Sequence, residues 1–336
     1  MSANAPLFLG LTVFNGERYL PEALESALAQ SFGDFTLFIS DNASTDGTAD
    51  ICGHYMRLDR RIQYRRNERN VGAGPNFNLA FRQCNAPFYK WMAHDDVLDP
   101  AFLQRCMEVL RDDDGVVLAH TALRLLDDEG EVLIEGPKGK IIDRHGNRHH
   151  DREPLHLAEG ARPSLRHAEA LRRMNWCTAL FGVMRADALR RTNWLGSYYE
   201  ADRILLAELA LMGRFRQIEE PLLHKRCHAG VSVLKSYADK ARMMDPNVAP
   251  LLPGLRLRAG YCRSLFVGDL PLGERLACGA TVARLFCRNS MAYKIRCTLR
   301  ELWSEAPPAG PELQAAPSIA QGVQLGCAEG DSPVQH

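Results

Sequence analysis

The chain has 336 residues, of which 46% are hydrophobic and 24% are charged. This length and composition allow one large globular domain, or one domain with an appendage. Lysine plus arginine equals aspartate plus glutamate, at 41 residues each. Bulk electrostatic binding of nucleic acid needs a basic surplus, so we expect no nucleic-acid partner.

The ten cysteines are scattered, and none forms a C-x-x-C pair. This pattern is typical of reduced thiols and not of a disulfide framework or a zinc site. The opening MSANAPLFLGLTVFNGERYL has no basic segment, and its apolar run has only the length of a strand. The sequence therefore predicts neither a signal peptide nor a transmembrane helix, and we expect a cytoplasmic protein.

Strand and helix patterns alternate through the first part of the chain. The predicted strands cover residues 7–13, 35–40, 62–66, 88–92 and 116–123. Helices are predicted within 17–30, from about 46 to 57, from near 75, and over 100–111. We expect the fifth strand to pair with residues 131–135 across the turn at 128–130. Repeated units of this kind predict an α/β fold with a mostly parallel sheet and helices on both of its faces.

The second half of the chain is less regular. Residues 136–165 lack any period, and we interpret them as a long loop that orders on binding substrate. Helix and strand patterns resume over about 165–228, and a basic helical pattern covers 251–303. Residues 304–336 are rich in Pro, Ala and Gly, which predicts a disordered tail.

Ligands of open α/β sheets bind beyond the carboxyl ends of the strands. The polar strand-end segments are Thr12–Asn15, Asp41–Asp46 and His94–Asp96. The carboxylate of Asp41 could accept hydrogen bonds from a nucleobase edge. The alternative interpretation of Asp41–Asp46 is a polar turn at a helix N-terminus.

Two adjacent carboxylates, Asp95 and Asp96, follow the fourth predicted strand. The chain has no glycine- and lysine-bearing phosphate loop, so bound phosphates would need another counter-charge. A hard divalent cation takes carboxylate and phosphate oxygens as ligands, which suits this pair. The alternative is a solvated turn. Asp99, followed by Pro100, is instead interpreted as the cap of the next helix.

Five segments in order resemble glycosyltransferase family 2, which has the GT-A fold. They read LTVFNGERYLPEALESALAQSFGDFTLFISDNASTDGT, RNERNVGAGPNFNLAF, YKWMAHDDVLDP, LFGVMRADALRRTNWLGSYYEADRILLAELALMGRF and HKRCHAGVS. The resemblance covers roughly residues 7–232. It implies a catalytic GT-A domain over 1–232, with a nucleotide-binding half to about 125 and an acceptor half from 126. The helical extension is then 233–303.

The resemblance also implies roles for individual residues. The nucleotide-binding positions would be Thr12, Phe14, Asn15, Asp41, Asn42, Arg69, Asn70, Gly72, Asn76 and Asp95. The metal ligands would be Asp95, Asp96 and His228, holding Mn²⁺ or Mg²⁺. Asp202 would be the catalytic base. Two positions depart from the family pattern, because Thr12 replaces a frequent proline and Ala93 replaces the first carboxylate of an Asp-x-Asp-Asp motif.

Asp202 has rival interpretations. An aspartate at the start of a helix is usually a cap, and Glu200 is a second candidate for the base. His228 is likewise a structural histidine in the alternative view.

The function implied by the resemblance is inverting transfer of a hexose from a nucleotide-diphosphate sugar to a hydroxyl of a glycan or lipid-linked acceptor. A UDP-sugar is the first candidate for the donor. Such a reaction would serve the synthesis of polysaccharide, glycolipid or secondary metabolites. Two other classes stay open: a non-catalytic nucleotide-sugar-binding protein, and a nucleotidyltransferase, which would need the missing phosphate loop.

The stretch Arg275–Arg300 holds six basic and no acidic residues, interleaved with apolar ones. This pattern is typical of a helix lying on an anionic membrane surface, and so predicts peripheral membrane association. The alternative is a helix packed on the catalytic domain with an arginine-rich outer face.

Overall fold

The computed structural model describes residues 5–133, 135–136, 140–142, 148–149, 154–174, 176–228, 237–247 and 253–288. The described residues lie in one compact unit. The predicted tail at 304–336, and the part of the basic stretch beyond residue 288, lie outside the described residues.

Eleven strands lie in the described part of the chain. They are β1 (Leu7–Val13), β2 (Phe35–Asp41), β3 (Ile62–Arg66), β4 (Phe88–Ala93), β5 (Val97–Leu98), β6 (Val116–Leu126), β7 (Glu135–Gly136), β8 (Lys140–Ile142), β9 (Arg148–His149), β10 (Val183–Arg185) and β11 (Arg214–Arg226). Eight of them form one sheet in the order β3-β2-β1-β4-β10-β6-β11-β5, and β7-β8-β9 form a small antiparallel sheet.

The helices are α1 (Leu20–Leu28), α2 (Thr48–Leu58), α3 (Ala73–Arg82), α4 (Phe102–Asp112), α5 (Pro163–Arg173), α6 (Ala186–Arg190), α7 (Ala201–Met212), α8 (Tyr237–Met244), α9 (Pro253–Ser264) and α10 (Leu272–Arg288). A 3₁₀ turn covers Thr178–Phe181. No helix in the described ranges is long and apolar enough to span a bilayer.

The prediction of a mostly parallel sheet is confirmed. β1, β2, β3 and β4 are parallel to their neighbours, and β6 is parallel to β11. The exceptions are β10, antiparallel to both β4 and β6, and the short β5, antiparallel to β11.

The sheet carries a hydrophobic core on each face, because successive side chains of a strand point to opposite sides. Leu7, Leu9 and Leu11 of β1 pack in the core that contains α1 and α4. Phe8 packs in the core that contains α3, α5 and α7. Gly10 lies between Leu9 and Leu11 in the chain, and a Cβ added to it would be 2.0 Å from the Tyr89 hydroxyl. The buried strand β1 therefore has a residue without a side chain where the Tyr89 ring approaches it.

Two local predictions differ from the structure. Helix α4 begins at Phe102, two residues later than expected, while Asp99 still accepts a hydrogen bond from the backbone N–H of Ala101 at 2.9 Å. Residues 131–133 make only an isolated bridge, Leu126 to Val132, across the turn at 127–130. β6 pairs chiefly with β11, a long-range partner that no local pattern reveals.

Candidate functional site

Three predicted site segments meet at one edge of the sheet. In the strand register Thr12 of β1 lies beside Ser40 of β2 on one side and beside Ala93 of β4 on the other. The next pair is Val13 with Asp41. The carboxyl ends of β1, β2 and β4 therefore bring the loops after residues 13, 41 and 93 together, at the position where such sheets bind ligands.

The loop after β1 is fixed by the loop after β2. Asn15 has a left-handed backbone (φ 51°), and its N–H donates to Ser44 Oγ at 2.9 Å. The Asn15 side-chain oxygen accepts the N–H of Thr45 at 2.8 Å. Phe14, between these anchored residues, is exposed. The two loops are thus hydrogen-bonded into a rim that presents one aromatic ring to solvent.

Asp41 is fully buried and already hydrogen-bonded by the protein. Its carboxylate accepts the N–H of Ser44 at 2.8 Å and the Tyr64 hydroxyl at 2.7 Å, and the Arg66 guanidinium lies 3.7 Å away. Burial, followed by the hydrogen bond to Asp41, raises the pKa of Tyr64 well above its ordinary value. Asp41 therefore anchors the loop after β2, and its contact with a nucleobase stays a prediction.

Four asparagines and Ser40 form a hydrogen-bonded group beside this loop, called here the asparagine network. Asn42 donates to Asn70 Oδ1 at 2.8 Å, and Asn67 donates to Asn42 at 3.2 Å and to Asn76 at 3.0 Å. Asn76 also accepts the Ser40 hydroxyl at 2.7 Å and donates to the Ser40 carbonyl.

The network joins β2, the 67–72 loop and α3. Asn67 was not predicted, although the asparagine-rich run RNERNVGAGPNFN contains it. Asn70 Oδ1 also accepts the N–H of Gly72 at 2.8 Å. The side chains of Asn42, Asn70 and Asn76, all predicted to bind the nucleotide, therefore hold the 67–72 loop in place. Arg69, the remaining predicted residue of this segment, is exposed.

The adjacent carboxylates face opposite environments. Asp95 Oδ2 lies 3.1 Å from His228 Nε2, and the His228 ring packs on Tyr19 with centroids 4.9 Å apart. Asp96 is buried, where it accepts the N–H of Arg226 at 3.1 Å and lies 3.6 Å from Lys225 Nζ. The structure thus brings Asp95 and His228 together and turns Asp96 toward the interior.

The different surroundings of Asp95 and Asp96 shift their pKa values in opposite directions. Burial would raise the pKa of Asp95, but the His228 hydrogen bond and nearby positive charges outweigh it and leave the pKa well below its usual range. Burial raises the pKa of Asp96 in spite of Lys225. The lowered pKa keeps Asp95 ionised, so this carboxylate is able to bind a cation.

Arg226 is a site residue that the sequence did not reveal. Its side chain is buried, and its Nε donates to the Asp95 carbonyl at 3.2 Å. It also reaches the Asp127 carbonyl and the Glu22 carboxylate, and lies over the Tyr19 ring. The basic run HKRCH at 224–228, which ends with His228, is the local signal that could have indicated it. Arg226 fixes the backbone on which Asp95 and Asp96 are carried.

The donor set fits a divalent cation only in part. Within the described ranges, no three His, Cys, Asp or Glu side chains are grouped so as to hold a metal ion. Asp95 and His228 offer one carboxylate oxygen and one imidazole nitrogen. This pair suits a cation such as Mn²⁺ whose other ligands are substrate oxygens and water.

Asp202 lies in the first turn of α7 and is not its N-cap, which is Glu200. Asp202 Oδ1 accepts the N–H of Arg203 at 2.8 Å, and the Arg203 guanidinium lies 3.6 Å from Glu200. The chain before α7 is tied to the nucleotide-binding half, because the Asn78 side chain makes two hydrogen bonds to the backbone of Leu195. The assignment of the base to Asp202 stays a prediction.

Comparisons with known proteins agree with this architecture. Residues 9–159 match the sequence profile "Glycosyl transferase family 2". A chondroitin synthase from Escherichia coli is 28% identical over 134 residues, which are 40% of this chain and 19% of that protein. An uncharacterised glycosyltransferase from Methanocaldococcus jannaschii is 28% identical over 120 residues, which are 35% of this chain and 41% of that one.

Among solved structures, S. aureus TarS 1–349 in complex with UDP-GlcNAc has a TM-score of 0.59 and 15% identity. The match covers 88% of this chain and 78% of TarS 1–349. At this identity the likeness shows the fold alone. The chain spans between 19% and 41% of the length of the two curated relatives above, so their activities do not transfer directly.

Proposed function

Since residues 9–159 match glycosyltransferase family 2, we propose that the chain transfers a hexose from a nucleotide-diphosphate sugar to a hydroxyl acceptor, with inversion at the anomeric carbon. The observation that carries this proposal is the Asp95–His228 pair. It lies beside the strand ends where the predicted nucleotide-binding loops converge.

The donor is proposed to be a UDP-sugar. The TarS crystal structure contains UDP-GlcNAc, which makes this the first donor to test. In this chain the rim formed by Phe14 and Asn15 offers an exposed aromatic ring for the nucleoside. The asparagine network holds the opposite side of the loop cluster. Loops that are already held by hydrogen bonds lower the ordering cost of binding a nucleotide.

The diphosphate would be held with a divalent cation, Mn²⁺ or Mg²⁺, carried by Asp95 and His228. When bound, such a cation neutralises the negative charge that grows on a departing diphosphate. Asp96 would act as a positioning residue, because its carboxylate is engaged by Arg226 and Lys225 inside the protein.

Asp202 is proposed to accept the proton of the acceptor hydroxyl. That oxygen attacks the anomeric carbon as the bond from this carbon to the diphosphate oxygen breaks, and the proton passes to the carboxylate. A single displacement of this kind inverts the configuration at the anomeric carbon. The proposed acceptor is a glycan or a lipid-linked glycan, used in the cytoplasm or at the inner face of the membrane.

The test is release of nucleoside diphosphate from a panel of donors, with and without acceptors, by the wild type and by Asp202→Asn. We expect transfer by Asp202→Asn to fall by about a hundredfold to ten-thousandfold, the usual contribution of a general base. UDP affinity should be unchanged.

Glu200→Gln is the matched control, because it removes the rival carboxylate two residues away. Full transfer by Asp202→Asn, or loss confined to Glu200→Gln, contradicts the assignment of the base. Binding of UDP without any transfer by the wild type would favour the non-catalytic alternative, which the replacement of a carboxylate by Ala93 keeps open.

A further inference from the structure

Four large apolar side chains stand out from the surface near the C-terminal helices. Phe266 is 77% exposed, Leu272 is 72%, Leu276 is 65% and Leu165 is 55%. Isolated exposed leucines are ordinary, but a contiguous group of them marks an interaction surface.

Hydrogen bonds hold these side chains in one neighbourhood. Arg275 of α10 donates to the carbonyls of Leu265 and Gly268, which fixes the loop bearing Phe266 against the helix. Glu274 accepts the N–H of Ser164 and pairs with Arg162, which brings Leu165 of α5 to the same helix turn. Leu272 and Leu276 flank these two anchors at a helical spacing of four. We call Leu165, Phe266, Leu272 and Leu276 the apolar face.

The surroundings of the apolar face are basic. Between residues 253 and 288 the chain has six arginines against one aspartate and one glutamate. Of these arginines, Arg256, Arg263 and Arg284 are exposed. Glu274 is paired with Arg162, so these two side chains add no net charge, and the exposed Asp269 is the other acidic residue of the 253–288 segment.

We propose that the apolar face docks on an anionic lipid bilayer. Exposed Phe and Leu side chains can enter the boundary between headgroups and acyl chains, and the surrounding arginines are attracted to the anionic headgroups. A second copy of the chain is a less favourable partner for this face. A symmetric dimer through it would bring the arginines of the two copies close together, and these like charges repel.

This placement differs from the one that the sequence predicted. Arg275 does not point outward, because it is spent on two backbone carbonyls. The outer side of the first turns of α10 is apolar, while Cys278, Thr281 and Val282 are buried against the rest of the protein. The proposed membrane contact therefore consists of the loop that bears Phe266, the first turns of α10, and Leu165 of α5.

The test is co-sedimentation of the full chain with vesicles of phosphatidylcholine alone, and of phosphatidylcholine mixed with an equal amount of phosphatidylglycerol. The test variant is Phe266→Ser/Leu272→Ser/Leu276→Ser. The matched control is Met56→Ser/Leu58→Ser, which removes exposed apolar side chains from α2. Arg284→Glu reports the electrostatic contribution.

We expect the wild type and the α2 control to bind the mixed vesicles. The triple variant should bind them at least about tenfold more weakly, with an unchanged melting temperature. Arg284→Glu should weaken binding to the mixed vesicles alone. The assay involves no sugar transfer, so its outcome is independent of the proposed reaction.

Two results would overturn the proposal. One is equal vesicle binding by the wild type and the triple variant. The other is a lowered melting temperature, or a smaller mass in light scattering, for the triple variant. Either change would mean that another part of the chain or a second copy already covers the face.

Discussion

The most informative single residues of the site are the neighbours Asp95 and Asp96. Adjacent carboxylates repel each other when both are ionised and close. The chain separates them by pointing Asp95 toward His228 and Asp96 toward Lys225 and the backbone of Arg226. Each carboxylate thus has its own cationic or donor partner, and only Asp95 faces the edge where the strand ends meet.

Asn76 is the residue on which the asparagine network depends. It is buried and makes hydrogen bonds with Asn67 and with both the hydroxyl and the carbonyl of Ser40. Asn76→Ala leaves buried partners unpaired, so we expect the free energy of unfolding in urea to fall by about 1–3 kcal/mol. The exposed Asn85→Ala should change it by less than about 0.5 kcal/mol. Equal effects of the two substitutions would show that the network does not stabilise the protein.

At this scale the sequence identified residues but not their partners. The order of motifs placed Asp41, Asn42, Asn70 and Asn76 in one site, and the structure brings them into one cluster. The sequence could not reveal that the Tyr64 hydroxyl donates a hydrogen bond to Asp41, or that the Arg226 side chain donates one to the Asp95 carbonyl. Both contacts join segments distant in the chain, and no local pattern encodes such pairings.

Among the elements, the turn at Gly72 connects the site with α8. Gly72 has a left-handed backbone (φ 88°) just before α3, and an added Cβ would lie 2.4 Å from the Met244 carbonyl at the end of α8. This close approach leaves room only for hydrogen. α8 therefore rests directly on a loop predicted to bind the nucleotide.

We predict that Gly72→Ala lowers the free energy of unfolding by about 1–3 kcal/mol, because both the backbone angle and the contact oppose a side chain. It should also weaken UDP binding, since α8 or the loop must shift. The control is Gly279→Ala, inside α10 and facing open space. There an alanine should raise stability by about 0.5–1 kcal/mol in the same urea titration. A stable Gly72→Ala protein with unchanged UDP affinity would contradict this view of the turn.

The strand bounds were predicted most accurately where strands that are close in sequence are also neighbours in the sheet. β1 and β3 match their predicted bounds, and β2 and β4 differ by one residue, because consecutive strand–helix units are neighbours in the sheet. β10 and β11 were not predicted individually. Their positions between or beside β4 and β6 depend on long-range pairing, and β11 contains Pro221 and several charged residues that obscure a strand pattern.

For the whole molecule, the contact between α5 and the C-terminal helix α9 includes a buried histidine. His167 of α5 is fully buried, with Nε2 3.2 Å from the Ser264 hydroxyl of α9. Burial lowers the pKa of His167 to about 4, against about 6.5 for a free imidazole. The folded protein therefore keeps this side chain neutral under conditions in which the unfolded chain protonates it.

The sign of the pH dependence follows from this lowered pKa. The contribution of neutral His167 to the free energy of unfolding is fully present above about pH 6.5. It is lost as the pH falls toward about 4, because only the unfolded state takes up the proton in this range. We expect a loss on the order of 3 kcal/mol across this window. In His167→Asn this loss should be absent, so the difference in unfolding free energy from the wild type should narrow as the pH falls.

Urea unfolding of both proteins at a series of pH values measures this difference. His54→Asn, which replaces an exposed histidine of α2, controls for the removal of one imidazole. A difference between wild type and His167→Asn that stays constant over the window would show that His167 is protonated in the folded protein.

The central claim is that a nucleotide diphosphate and a divalent cation bind where β1, β2 and β4 end. The most direct measurement is anomalous scattering at the manganese edge from a crystal grown with Mn²⁺ and UDP. We predict one manganese peak between Asp95 and His228, in contact with the UDP diphosphate. A manganese peak away from both residues, or UDP bound outside the loops after β1 and β2, would contradict the account.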